Sequence, residues 1–74
     1  RCMALARPVA NRKTRVVVAR GRVTSFLDAA GQVVASVESR PGDGDVTNIV
    51  ANRRGDLVIV TTRSGHEARM WRVP

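Results

Sequence analysis

Ser64-Gly65-His66-Glu67 sets a hydroxyl, an imidazole and a carboxylate side by side. These are the residue types of a nucleophile, a base and an orienting acid. Such a set works only when the groups converge in space, with the base positioned by the third group. Neighbours in a tight turn mostly point to solvent, so the run reads as a hairpin turn. Asp43 and Asp45 flank Gly44, a pattern also met in calcium loops. Calcium takes roughly six to eight oxygens, and a helix-loop-helix calcium loop ends on a bidentate Glu. Arg54 stands at that closing position here, which argues against a metal. Arg54-Gly55-Asp56 spells an adhesion tripeptide, and it is also what a β-turn in a basic protein looks like. A structural zinc needs about four His or Cys ligands, and Cys2 and His66 are the only candidates. No Gly-rich phosphate loop or dinucleotide fingerprint is present. The expectation is no cofactor, no metal and no catalytic site. A pocket with converging acid, base and nucleophile is hard to build on 74 residues without spare His or Cys.

The remaining chemistry is charge. Twelve arginines stand against the single Lys13. Arg1, Arg7, Arg12, Lys13, Arg15, Arg20 and Arg22 precede the first acid, Asp28. In residues 28–74 six arginines are balanced by six acids, so the net charge of +7 lies wholly in the first third. Such asymmetry marks a basic arm facing an anionic surface, or the remnant of an organelle-targeting segment, which is Arg-rich and acid-poor. Arg1, Arg7, Arg12, Lys13 and Arg15 are the candidate polyanion contacts. Phosphate neutralisation would supply affinity without sequence readout. A base-stacking platform is missing, because Phe26 and Trp71 are the only aromatic residues. In the RNA-contacting alternative the arm would therefore bind phosphates, as in a ribosomal protein.

The elements that must carry these residues are short. Residues 1–13, RCMALARPVANRK, lack a strand period, and Pro8 blocks a long helix. They read as an extended basic arm with one helical turn around residues 2–6. From residue 14 to 74 Val-rich runs alternate with glycine turns. The runs are 15–19, 22–27, 32–37, 46–51, 57–62 and 67–73. β-branched residues suit a pleated surface. Gly21, Gly31, Gly44, Gly55 and Gly65 lie 10, 13, 11 and 10 residues apart, and each is expected at positive φ in a hairpin. Asp28-Ala29-Ala30-Gly31 and Asn52-Arg53-Arg54-Gly55 read as type I turns closed by a left-handed glycine. Pro41-Gly42-Asp43-Gly44-Asp45 is the longest and most polar loop. The pattern predicts an all-β, antiparallel meander of about six short strands. Val16–Val18 and Leu57–Val60 are continuous apolar runs, which predicts cover on both sheet faces.

The chain also repeats itself. Gly21-Arg22-Val23-Thr24-Ser25-Phe26 aligns with His66-Glu67-Ala68-Arg69-Met70-Trp71, 45 residues later. A Val-rich strand precedes each copy. Ala68-Arg69-Met70-Trp71 resembles the apolar-basic-apolar-Trp step of WD-repeat β-propellers, and Val23-Thr24-Ser25-Phe26 resembles it more loosely. Val46-Thr47-Asn48-Ile49-Val50 resembles the innermost strand of a next blade. The family's Gly-His is replaced by Gly42-Asp43, and the Asp after the Trp by Arg72 and Leu27. The Asp of the turn before the last strand is also absent, with Arg20 and Gly65 in its place. The resemblance implies about one and a half propeller blades. Since a propeller closes with about four blades or more, it also implies dependence on other sheets.

Length points the same way. A chain this short buries only about 60–65% of its unfolded surface. Cys2 is the sole cysteine, so no internal disulfide can supplement the core. The chain begins at Arg1 rather than methionine, which reads as a processed or excised piece. No apolar run approaches the roughly 20 residues that span a bilayer. The expected function is a non-catalytic structural or protein-interaction module within a larger complex, with an intracellular or organellar location. Trp71, Met70 and Phe26 are its candidate contact residues. The alternative is a small β-barrel that contacts RNA in a ribosome or similar particle.

Overall fold

β-branched runs punctuated by glycine become strands in a computed structural model that describes residues 5–9, 13–65 and 68–74. Among them are seven strands and no helix. They are β1 (Leu5–Pro8), β2 (Val16–Arg20), β3 (Val23–Leu27), β4 (Val33–Glu38), β5 (Val46–Ala51), β6 (Leu57–Thr62) and β7 (Arg69–Arg72). The first four form one antiparallel sheet in the order β1-β2-β3-β4, and the last three form another, β5-β6-β7. The all-β antiparallel reading therefore holds, with one strand more than expected. β1 falls inside the segment read as an arm. Leu5 and Ala6 pair with Ala19 and Val18, so they are strand and not the end of a helical turn. Pro8 is tolerated there because β1 is an edge strand, where a missing N–H breaks no ladder on the open side.

The turns explain the register. Gly21 and Arg22 link the paired residues Arg20 and Val23. Gly21 has φ 61° and no non-glycine residue among the described ones is positive, the backbone of a type II′ hairpin. Asp28 closes the next turn. Its carbonyl accepts from Gly31 N at 3.0 Å, and its Oδ1 accepts from Ala30 N and Gln32 N at 2.9 Å each. Asn52 repeats the device. Its carbonyl accepts from Gly55 N at 3.1 Å, and its Oδ1 accepts from Asp56 N and Leu57 N. Gly65 departs from expectation. Gly21, Gly31, Gly44 and Gly55 have positive φ, but Gly65 does not. Its glycine is required by space, because a Cβ there would collide with Thr62 Oγ1.

Alternation puts one face of each sheet inside. Val17, Ala19 and Phe26 from the first sheet meet Ile49, Val58 and Val60 from the second, with Val9 and Val73 closing the ends. The polar loop 39–45 carries the chain between sheets. β1 runs beside β5, so the sheets adjoin through their first strands. Arg7 Nε fastens that junction by donating to Ile49 O at 3.2 Å, and the sheets are also linked by Val46 N to Gly21 O at 2.8 Å and by Thr14 Oγ1 to Pro74 O at 2.8 Å. The described strands thus make two open sheets, not one closed barrel.

Candidate docking surfaces

The internal repeat has a structural counterpart. Val17 stands opposite Phe26 across β2 and β3, and Val58 stands opposite Trp71 across β6 and β7. Both valines are fully buried. The aromatic partners differ. Phe26 is 2% exposed, because β4 covers its outer side with Ala35 directly opposite. Trp71 is only half-buried, because β7 is the last strand of its sheet. Phe26, read as a contact residue, is therefore a core residue. Trp71 packs on the core and lines a cleft.

That cleft, about 220 Å³, is lined by β3 and β4 of the first sheet and by all three strands of the second. Its apolar wall is Val37, Val46, Val60 and Trp71. Arg40 and Arg69 bring positive charge. Glu38 also borders it, but its carboxylate is held by Arg22 at 3.1 Å. Thr62 Oγ1 is buried at the same cleft without a hydrogen-bond partner. An unsatisfied buried hydroxyl costs about 1–3 kcal/mol, so an incoming donor or acceptor would be welcomed there.

The opposite face of the second sheet is apolar and open. Val50 pairs with Ile59 and Ile59 with Met70, so three apolar side chains form one row across three strands. They are 47%, 40% and 61% exposed. Beside them a shallow depression of about 110 Å³ includes Ala51 and Leu57. The first sheet has a matching row on its own outer face, Pro8-Val16-Leu27-Val33, with Val33 61% exposed. Cover on both faces, expected from the continuous apolar runs, is not supplied by the described residues at these rows.

Three of the five candidate polyanion contacts, Arg7, Lys13 and Arg15, are among the described residues. Lys13 and Arg15 are exposed and share a shallow depression with Asp28, Ala29 and Ala30. Arg7 is exposed but turned to Ile49 O. Arg1 and Arg12 lie outside the described residues, as do Cys2, His66 and Glu67 of the motifs considered above. The adhesion-like tripeptide is a turn in which Gly55 is buried and the Asp56 carboxylate accepts from Asn52 Nδ2 at 2.6 Å. Among the described residues no three His, Cys, Asp or Glu side chains converge as a metal site would require.

Sequence reasoning named Trp71 and Met70 but missed Val50, Ile59, Arg40, Arg69 and Thr62. The run Leu57–Val60 carried the signal for Ile59, since alternate residues in it must face opposite ways. Nothing local marked Arg40 or Arg69, which come to border one cleft only once the sheets stack. No protein-family model, no curated protein and no solved structure matches this chain.

Proposed function

We propose that this chain is a non-catalytic structural or protein-interaction module, a piece of a larger assembly in which further β-sheets cover its outer faces. The observation that carries the proposal is the row Val50-Ile59-Met70, aligned across β5, β6 and β7 and exposed. Contiguous exposed apolar surface marks interaction sites more than isolated apolar residues do. Two meanders adjoining through their first strands also support the resemblance to neighbouring propeller blades.

The RNA-contacting alternative rests on the basic arm, and less supports it. Lys13 and Arg15 form its only clustered pair among the described residues, beside the acid Asp28. Among the described residues no helix is long and apolar enough to cross a membrane.

The test is Ile59→Lys, which places a charge in the centre of the row while leaving the buried face untouched. Association with covering sheets should fall at least tenfold. Unchanged association would remove the outer face from the account. Loss of binding from Lys13→Ala and Arg15→Ala instead, equal for any RNA sequence, would favour the alternative.

A further inference from the structure

The two sheets repeat one plan, and one position breaks it with a charge. Val17 opposite Phe26 and Ala19 opposite Thr24 in the first sheet correspond to Val58 opposite Trp71 and Val60 opposite Arg69 in the second. Thr24 is neutral and 2% exposed, with Val37 of β4 opposite it. Arg69 is half-buried. It shares a face of β7 with Trp71 and stands opposite the buried Val60, on the cleft side of the sheet. Among the described residues its guanidinium has neither an ion pair nor a hydrogen bond. Arg40, in the loop 39–45, brings a second cation to the same cleft, also without an ion pair. The acid nearest in sequence is Glu38, and Arg22 holds its carboxylate at 3.1 Å.

A guanidinium drawn partly out of water without a counter-charge costs free energy that a bound anion returns. A cleft that combines cations with low-dielectric walls also concentrates anions.

We propose that the cleft binds a small organic acid, a free molecule with one carboxylate on a compact apolar body. The carboxylate meets Arg69, whose planar fork matches two carboxylate oxygens, and Arg40 adds to the attraction. The apolar body lies against Trp71, Val37, Val46 and Val60. A bare phosphate would leave that wall unused. Volume sets the size. About 220 Å³ lies below the roughly 300–1,000 Å³ of pockets for drug-sized ligands, which fits a single ring or a short branched chain. The groups named belong to β4 to β7 and the loop 39–45, so the site does not depend on what lies beyond β7. It goes beyond the interaction-module reading, which concerns the outer faces.

Trp71 is the only tryptophan, so its fluorescence reports this site. The probes are phenylacetate, its uncharged analogue phenylacetamide, and inorganic phosphate. Phenylacetate should shift Trp71 emission saturably, and the other two should bind at least tenfold more weakly. Arg69→Gln keeps a long polar side chain and removes the charge. It should weaken phenylacetate at least tenfold and leave phenylacetamide unchanged. Circular dichroism checks that the sheets persist in that variant. Arg40→Gln, at an exposed loop residue, should weaken phenylacetate without touching the fold. Ile59→Lys, on the outer face, should leave the probe's affinity as it is. The absence of a saturable shift with phenylacetate overturns the proposal. Equal affinity for acid and amide overturns it too, because Arg69 then only packs its stem on the apolar wall. Phosphate binding as tight as that of phenylacetate shows attraction to any anion and has the same consequence. Loss of the shift in Ile59→Lys would place the probe on the outer face and also overturn the site. Unchanged association of Ile59→Lys with covering sheets, beside intact phenylacetate binding, sinks only the interaction-module reading.

Discussion

Arg7 of β1 donates from Nε to the carbonyl of Ile49 on β5 at 3.2 Å, joining the two sheets where their first strands meet. The bond gives a cation of the basic segment a structural task. Hydrogen bonds that involve a charged group contribute about 1.5–3 kcal/mol, and exposure lowers that figure. Arg7→Ala should therefore destabilise the chain by about 1 kcal/mol, read from urea unfolding. Arg15→Ala, whose side chain is exposed, should stay within about 0.5 kcal/mol. Equal effects of the two would show that the Arg7 bond does not hold the sheets. Removing the basic residues together would mix this loss with any effect on polyanion binding, so single substitutions are needed.

Phe26 and Trp71 occupy equivalent places with unequal cover. Phe26→Ala empties a site that β4 closes, and such deletions cost about 3–5 kcal/mol. A core of this size contributes only about 3–5 kcal/mol in total, so the variant should be largely unfolded by circular dichroism. Trp71→Ala should retain sheet structure, because Trp71 is open on the cleft side. Comparable unfolding of both variants would contradict the difference in cover.

Gly65 and Thr62 are coupled by contact. A Cβ at residue 65 would collide with Thr62 Oγ1, and overpacking of this kind costs about 1–3 kcal/mol. Gly65→Ala should destabilise by that amount alone and by much less in a Thr62→Ala background. Gly31 is the contrast. Its φ is 82° and nothing lies within 4 Å of an added Cβ, so Gly31→Ala should cost about 1 kcal/mol through backbone strain alone. A double-mutant cycle checks this: a coupling near zero between residues 62 and 65 would refute the contact.

Much of this architecture was legible in the chain. The bounds of β5 and β6 coincide with the runs 46–51 and 57–62, because β-branched residues there sit between strong turn formers. The Asp28 and Asn52 turns formed as their sequences imply, since each side chain bonds its own turn. β1 was not legible. Leu5-Ala6-Arg7-Pro8 has no alternation, and proline argues against a strand unless its open edge is known. Gly65 was misread because spacing implies a left-handed turn, whereas its constraint is a side chain three residues away. The division into two sheets was hidden as well, because loop 39–45 could equally have joined neighbouring strands. The unequal exposure of Phe26 and Trp71 depends on which strand lies beyond each, a fact of topology that local sequence does not carry.

The central claim is that the outer faces are built to be covered. Sedimentation equilibrium of the purified 74-residue chain and its Ile59→Lys variant, over a range of concentrations, tests it most directly. An uncovered row Val50-Ile59-Met70 should drive the native chain to associate, and the variant should sediment closer to its 8.0 kDa monomer mass. A native chain that stays a monodisperse monomer throughout, with a sharp two-state transition above about 70 °C, would contradict the account.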